Sequence, residues 1–166
     1  QIERGADVDI LLLGPPGVGK GTQGAILSER LGLPRFATGD LLRDAVRQGT
    51  PLGMQAKTAM ENGLLVGDDL ILGILAEELM KPASAGGVIF DGVVRTIPQA
   101  EGMQSLLARL GRQIDHVLFF DAADEELVRR IAGRRLVESR VDDDPVTVAS
   151  RLEAYRGLTS PVVAWY

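Results

Sequence analysis

The chain has 166 residues, with 18 Lys and Arg against 23 Asp and Glu, and therefore a formal net charge of -5. This length predicts one domain with a sizeable core, and the acidic balance argues against general binding to nucleic acid or to membrane surfaces. The absence of cysteine excludes disulfides and thiolate zinc sites, and without a signal peptide or an apolar run of membrane length we expect a cytoplasmic protein.

The first predicted elements are a strand, a glycine-rich loop and a helix. The apolar run from Val8 to Leu13 is typical of a parallel strand buried on both faces, and residues 14–22 have the sequence G-P-P-G-V-G-K-G-T. Glycines let successive backbone N–H groups curve inward, and the helix that follows adds unpaired N–H groups. The segment predicts a phosphate-binding loop in which Lys20 reaches the outer phosphates.

Within this loop, Gly21 separates Lys20 from the hydroxyl of Thr22. The form G-x-P-G-x-G-K-G-T closely resembles the loop of nucleoside monophosphate kinases, above all the adenylate kinases. The resemblance implies an α/β fold: a P-loop protein of three αβα layers with a mostly parallel sheet, a small helical insertion that binds the nucleoside monophosphate, and a short lid. It also implies that the ATP-binding residues of the loop are Gly17, Val18, Gly19, Lys20, Gly21 and Thr22.

A short strand at residues 35–37 and a helix capped by Asp40 are predicted next, with Arg43 in the first helical turn. A cation there opposes the helix dipole unless an anion binds nearby, and a solvated surface arginine is the alternative. The sequence T-G-D-L-L-R is similar to the adenylate kinase element that holds the acceptor. That similarity implies that Arg43 binds the acceptor phosphate and that Thr38 lies beside adenine, and Asp40 is a second candidate for binding Mg²⁺ through water.

Two further helices are predicted, one beginning at Pro51 after the cap Thr50 and one from Asp68 to Met80. Residues 40–66 therefore form a helical insertion between strands. In the resembled family this lobe closes over AMP, and the residues that line the base pocket, mainly through their backbone, are Leu64, Leu65 and Val66. Apolar packing at a helix exit is the alternative for these three side chains.

The apolar run that ends at Asp91 predicts the third strand. A carboxylate at the carboxyl end of a strand beside the phosphate loop suits the binding of Mg²⁺ through water, and a turn cap is the alternative. The segment that follows resembles the family element D-G-F-P-R-T-x-x-Q, which implies that Arg95 binds the acceptor phosphate and Gln99 reads the adenine edge. The acceptor-binding residues of this element are Gly92, Val93, Val94, Arg95 and Gln99.

Val93-Val94 departs from the Phe-Pro pair of that element, whose peptide bond is typically cis in the family. A cis bond before a residue other than proline costs about 2.5 to 4 kcal/mol. We therefore expect either a trans bond or local strain, and in both cases the geometry of Arg95 and of the base pocket cannot be carried over from the family.

After a helix from Thr96 to Leu110, a fourth strand is predicted from His116 to Phe120. His116 at a strand entrance indicates a structural role rather than a catalytic base, and phosphoryl transfer hardly needs one. A helix that begins at Asp124 carries Arg130 and Arg134, four residues apart on one face. In the family the corresponding residues clamp ATP, and a short lid follows at residues 134–143.

The pattern R-x-D-D, followed by R-L-x-x-Y on a helix that begins at Pro145, is similar to the second arginine pair of the family. The resemblance implies that Arg140 and Arg151 bridge the donor and acceptor phosphates, and that Asp142 and Asp143 hold the lid closed. A last helix is predicted from Ser160. Family members continue through a fifth strand, so we expect an exposed apolar edge on the fourth strand of this chain.

Taken together, the resemblance predicts one P-loop kinase domain over residues 1–166, with core segments 8–39, 67–133 and 144–166. The expected reaction is reversible transfer of the γ-phosphoryl group from Mg-ATP to AMP by a monomer, with Mg²⁺ as cofactor and ADP as substrate in reverse. The catalytic residues are expected to be Lys20, Arg95, Arg134, Arg140 and Arg151.

Two alternatives remain open. A kinase of the UMP or CMP type is disfavoured by Thr38 and Gln99, but Val93-Val94 leaves it open. A nucleotide-binding protein with little or no turnover is the other alternative, and it rests on Val94 and on the absent fifth strand.

Overall fold

The structure, a computed structural model, describes residues 7–62, 66–138 and 145–166. Within these residues, parallel strands form one sheet in the order β2-β3-β1-β4. The strands are β1 (Val8–Leu13), β2 (Arg35–Ala37), β3 (Gly87–Asp91) and β4 (His116–Phe119). The α/β class and the parallel sheet are confirmed, and β1 and β2 have the bounds that the sequence predicts.

Helices cover both faces of this sheet. Their bounds are α1 (Lys20–Leu31), α2 (Thr38–Gln48), α3 (Pro51–Glu61), α4 (Asp68–Leu79), α5 (Ile97–Arg109), α6 (Asp124–Glu138), α7 (Pro145–Ala154) and α8 (Ser160–Trp165). The side chains of β1 alternate between the two faces of the sheet, and each set packs against the helices on its own face. Leu11 and Leu13 pack with Met103 of α5 and Val162 of α8, whereas Ile10 and Leu12 pack in a second cluster on the α1 face.

The helix starts follow the predicted capping residues in some places and not in others. Thr50 caps α3 through a hydrogen bond of 3.0 Å from the N–H of Gly53. Asp40, by contrast, is not the cap of α2: this helix begins at Thr38, directly at the end of β2, with Ala37 as its N-cap. The prediction is wrong because the extended backbone of Ala37 turns into the helix without an intervening loop, which leaves Asp40 in the first turn.

The helical segments after residue 145 are continuous. A π-helical segment at Tyr155–Thr159 joins α7 to α8 without a break, so Ser160 continues a helix instead of starting one. Similarly, α6 extends to Glu138, and the first part of the predicted lid, residues 134–138, is helical. The remainder of that segment lies outside the described residues.

The sheet also contains a buried ion pair at Asp9 and an exposed edge at β4. Asp9, only 2% exposed, accepts hydrogen bonds from Arg112 at 2.9 and 2.5 Å and from the N–H of Val88 at 3.0 Å. At one sheet edge, β4 pairs with β1 alone among the described residues, and its apolar side chains are exposed, Phe119 by 47%. The exposed edge is as expected.

In the described ranges no helix has the length and apolar character needed to cross a membrane.

Candidate active site

The glycine-rich loop lies between the carboxyl end of β1 and the start of α1. Gly17 has φ +82°, and a Cβ there would lie 2.6 Å from Cγ1 of Ile131, so the loop packs tightly against α6. Gly19, with φ +103°, has no atom within 4 Å of the position that a Cβ would take. The loop is therefore supported on one side and open on the other, and the open side is where backbone N–H groups can meet a phosphate.

Lys20 is folded over this loop. Its ammonium group donates hydrogen bonds to the carbonyls of Gly14 at 2.7 Å and Pro15 at 3.0 Å. Burial lowers the pKa of Lys20 to about 8; Asp91 raises it, and the neighbouring Arg95 and Arg151 lower it further. A partly desolvated ammonium beside two arginines is stabilised by any anion that enters, which suits a phosphate ligand.

A cleft of about 810 Å³ opens beside the loop. It is lined by every predicted ATP-binding residue of the loop and by most of the predicted arginines. The cations that line it are Lys20, Arg35, Arg43, Arg95, Arg130, Arg134 and Arg151, and the carboxylates are Asp40 and Asp91. Gly92 also lines the cleft, whereas Thr38, Val66, Val93, Val94 and Gln99 do not. Outside the described residues lie Leu64, Leu65, Arg140, Asp142 and Asp143.

Arg95 is held in the loop that follows β3. Its Nε donates to the carbonyl of Gly92 at 3.0 Å. Burial lowers the pKa of Arg95, the nearby Arg151 lowers it further, and Asp91 raises it. The repulsion between the two guanidinium groups makes the binding of an anion between them favourable, which is compatible with the predicted acceptor phosphate.

Gln99 closes the same loop from α5. Its side-chain oxygen accepts the N–H of Arg95 at 2.7 Å, and its amide nitrogen donates to Asp68 at 2.8 Å. Both ends of the amide are therefore engaged within the protein. A nucleobase would have to share or replace these hydrogen bonds in order to be read by Gln99.

The side chains of Val93 and Val94 are buried in the main core, with 5% and 1% exposure. The described residues contain no cis peptide bond, so of the two expected outcomes for this pair the trans bond is the one found. Val94 instead lines a smaller cavity of about 340 Å³ with Gln99 and Tyr155. Contact between these two valines and an acceptor stays a prediction, and such contact would use their backbone.

Arg130 of α6 reaches the outer side of the phosphate loop. It donates to Glu126 at 2.6 Å and to the carbonyl of Val18 at 3.2 Å. Hydrogen bonds from Arg130 first and Arg129 second lower the pKa of Glu126. The ion pair fixes Arg130 at the rim of the cleft, with Arg134 on the same helix also lining it.

Candidate metal ligands lie at the carboxyl ends of β2 and β3. Asp91 is the last residue of β3, and Asp40 stands in the first turn of α2. No group of three or more His, Cys, Asp or Glu that could enclose a metal occurs in the described ranges. Two hard oxygen ligands without a closed cage fit Mg²⁺, which keeps several of its own waters and takes few carboxylates.

Arg35 lines the cleft, whereas the sequence pattern predicts only that it lies in a short strand. It donates to Asp91 at 2.6 Å and lies within 3.9 Å of Asp40. The sequence did contain a signal for this contact, namely a charged residue inside a short strand of a parallel sheet. Such a residue needs a carboxylate partner when it is desolvated.

Sequence comparison shows which known proteins the chain is similar to. A sequence model of the family described as adenylate kinase matches residues 12–166. The chain is 48% identical over 182 residues to an adenylate kinase of Gemmatimonas aurantiaca, covering 95% of this chain and 85% of that protein. The chain is 48% identical over 157 residues to an adenylate kinase of Stenotrophomonas maltophilia, and the alignment covers 95% of this chain and 84% of that protein. It is 40% identical over 186 residues to an adenylate kinase of Pelobacter propionicus, with 96% of this chain and 84% of that protein covered.

Proposed function

Because this chain belongs to the adenylate kinase family, we propose that its cleft transfers the γ-phosphoryl group of ATP to AMP, giving two molecules of ADP in a reversible reaction. One observation carries the assignment of the cleft to this chemistry. Lys20, Arg95 and Arg151 converge beside an open glycine-rich loop, and the pKa of Lys20 is lowered to about 8. Phosphates relieve the repulsion among these cations and remove the cost of their burial.

On the donor side, the loop N–H groups and Lys20 would hold the phosphates of ATP. Lys20 exchanges its two carbonyl partners, Gly14 and Pro15, for phosphate oxygens when the donor binds. Arg130 and Arg134 then face the nucleotide from α6. The exchange is favourable because a charge-assisted hydrogen bond to phosphate is stronger than one to a neutral carbonyl.

On the acceptor side, Arg43 and Arg95 would bind the phosphate of AMP, and Arg151 would bridge the two nucleotides. Arg43 has its guanidinium beside Gly39 in the first turn of α2, where it is paired with Asp40. Leu64, Leu65 and Val66 would face the base, and Thr38 and Gln99 would contact it. Arg140 would complete the arginine set, and Asp142 and Asp143 would hold the lid closed.

Catalysis then follows from positioning and charge neutralisation. The arginines and Lys20 place the acceptor oxygen in line with the γ-phosphorus and stabilise the charge on the transferring group. No side chain forms a covalent intermediate. Asp91, with Asp40 near it, would hold Mg²⁺ through water, and the ion supplies charge neutralisation on the donor phosphates. A short lid at residues 134–143 would exclude water and prevent hydrolysis of ATP.

Two further proposals concern the oligomeric state and the cellular location of the protein. We expect the protein to act as a monomer in the cytoplasm, where its nucleotide substrates are. The exposed apolar edge of β4, formed by Val117, Leu118 and Phe119, is where association would begin if this expectation fails.

The direct test is chromatographic. The purified chain is incubated with Mg-ATP alone and with AMP, UMP, CMP or GMP in turn, and the appearance of ADP and of the new diphosphate is followed. We expect rapid turnover with AMP, its loss in Lys20→Met, and unchanged turnover in the control Lys57→Met, whose side chain is 46% exposed on α3. Measurable ATP binding without turnover for any acceptor would overturn the proposal in favour of a binding protein, and turnover with UMP or CMP alone would overturn the choice of AMP.

A further inference from the structure

Arg35 extends from β2 toward the two carboxylates proposed to hold the metal. Its Nη1 donates to Oδ2 of Asp91 at 2.6 Å, and its Nη2 lies 3.9 Å from Oδ2 of Asp40. Asp91 is only 9% exposed, whereas the side chain of Arg35 is 27% exposed. A carboxylate that is this buried needs a counter-charge, and in the described residues the guanidinium of Arg35 supplies it at hydrogen-bond distance.

The site is built around this arginine. A Cβ at Gly24 would lie 3.0 Å from Cδ of Arg35, and one at Gly21 would lie 3.7 Å from Nη1. Glycines on this face of α1 therefore leave room for the side chain to pass along the helix toward its first turn. The guanidinium ends in the same cleft as the phosphate loop and Thr22.

Arg35 and a hydrated divalent cation would compete for the same two carboxylates, Asp91 and Asp40. Oδ2 of Asp91 is already engaged at 2.6 Å, and the two cations would repel each other at close range. The carboxylate can therefore serve the arginine or the metal's water shell, but not both with full strength. When a metal ion arrives with the phosphates of ATP, the extra anionic charge gives the guanidinium an alternative partner.

We propose that Arg35 is a positioning residue that acts as an internal counter-cation for Asp91 and Asp40, holds them while no metal is bound, and weakens the binding of free divalent cations until nucleotide is present. This inference rests on the proposed function, because it takes Asp91 as the carboxylate that holds Mg²⁺. Its consequence is that metal and ATP enter together, since a free ion must displace Arg35 and a metal–nucleotide complex offers that arginine a phosphate.

The test measures metal binding directly, with Mn²⁺ as the probe followed by electron paramagnetic resonance on nucleotide-free protein. In Arg35→Gln the competing charge is gone, and we expect Mn²⁺ to bind at least tenfold more tightly, because the charge-assisted hydrogen bond to Asp91 no longer has to be broken. Arg35→Lys keeps the charge and should bind Mn²⁺ as weakly as the parent. Arg47→Gln, which removes the partner of Asp44 on the exposed side of α2, is the control and should change nothing.

The outcomes separate the inference from its premise. Equal or weaker Mn²⁺ binding by Arg35→Gln, or tight binding by Arg35→Lys, would overturn the role of Arg35. Adding ATP should bring the affinities of parent and Arg35→Gln closer together, and a difference that persists undiminished would also overturn it. The premise is tested by Asp91→Asn in the parent chain. If Mn²⁺ binding with ATP is unaffected there, the assignment of the metal site to Asp91 fails and the role of Arg35 fails with it. If Asp91→Asn weakens Mn²⁺ binding but Arg35→Gln binds Mn²⁺ like the parent, only the role of Arg35 is overturned.

Discussion

The hydroxyl of Thr159 donates a hydrogen bond of 2.9 Å to the backbone carbonyl of Arg95. Thr159 ends the π-helical segment that begins at Tyr155, and Arg95 lies in the loop after β3, so this contact connects the C-terminal helices to the predicted acceptor-binding arginine. π-helical turns inside α-helices are often found at functional sites. Here the segment presents a side-chain donor to the loop that holds Arg95.

Replacing Thr159 by Val removes the donor and keeps the shape of the side chain. A hydrogen bond of this kind contributes about 1 kcal/mol, so we expect the KM for AMP to rise about fivefold as the loop loosens, with little change in the KM for ATP. Steady-state kinetics with each substrate varied measures this. Ser105→Ala, on the exposed side of α5, is the matched control because its hydroxyl bonds only to its own helix. An unchanged KM for AMP in a folded Thr159→Val protein would contradict the prediction.

Lys20 makes stability depend on pH. Its pKa is about 8 in the folded chain, below its ordinary value of 10.5, so between these two pH values the unfolded chain binds more protons and stability rises with pH. Below pH 8 the buried charge is destabilising by up to about 3 kcal/mol. We therefore expect Lys20→Met to be more stable than the parent at pH 7, with a difference that narrows toward pH 10.5. Urea denaturation at several pH values measures it, with Lys57→Met as the exposed control, and a constant difference would refute the assignment.

Nucleotide binding should take up a proton at the same residue. Phosphates stabilise the charged form of Lys20, so its pKa rises on binding and the affinity for ATP falls as the pH rises above about 8. Calorimetric titration at pH 8.5 in two buffers of different ionisation enthalpy measures the uptake. We expect the parent to take up a fraction of a proton for each ATP bound, and Lys20→Met to lack this contribution. Equal proton uptake by the two proteins would show that the proton binds to another group.

Gln99 can affect acceptor binding in two ways, by contacting the adenine base or by holding the N–H of Arg95. A comparison of different acceptors distinguishes these two roles. In Gln99→Leu we expect the KM for AMP to rise at least tenfold, because a buried base edge loses its partner. If Gln99 reads adenine, any turnover with UMP or CMP as acceptor should show a much smaller change in KM. If the change is equal for all acceptors, Gln99 acts only by holding the N–H of Arg95. Gln104→Leu, an exposed position on the same helix, controls for the added apolar side chain.

The buried pair of Asp9 and Arg112 should matter for stability and not for turnover. Asp9→Asn leaves the guanidinium of Arg112 with no full counter-charge at a site where Asp9 is 2% exposed, and this should cost about 3 kcal/mol in the free energy of unfolding. The same change at the exposed Asp44 should cost less than about 0.5 kcal/mol. Urea denaturation compares the two variants. A fall in kcat at a temperature where Asp9→Asn is fully folded would contradict the prediction that the Asp9–Arg112 pair has no effect on turnover in the cleft.

The parts of the fold that were predicted from sequence depend on local patterns. The uniform apolar run from Val8 to Leu13 and the glycines that follow specify a strand and a loop without reference to the rest of the chain. The arginines of the cleft other than Arg35 were located through motifs. Helix starts were less reliable, because Asp40 has the chemistry of a cap but the N-cap of α2 is Ala37, three residues earlier.

Arg35 shows what local patterns do not contain. Its partner Asp91 lies 56 residues away, and the two meet because β2 and β3 are neighbours in the sheet. Sheet order depends on how the intervening helices pack, which no short segment specifies. Burial of Val93 and Val94 was missed for a similar reason, since a motif gives their positions in the chain and not the direction of their side chains.

Strand β1 carries the buried ion pair near its amino end and the phosphate loop at its carboxyl end. Gly14 is five residue steps along the extended chain from Asp9, a span of about 16 Å. Substitutions more than about 7 to 10 Å apart without shared partners usually have additive effects. Thermal adaptation of this protein can therefore proceed through the amino end of the sheet, by strengthening or relaxing the surroundings of Asp9, while the nucleotide chemistry at the opposite end keeps its geometry.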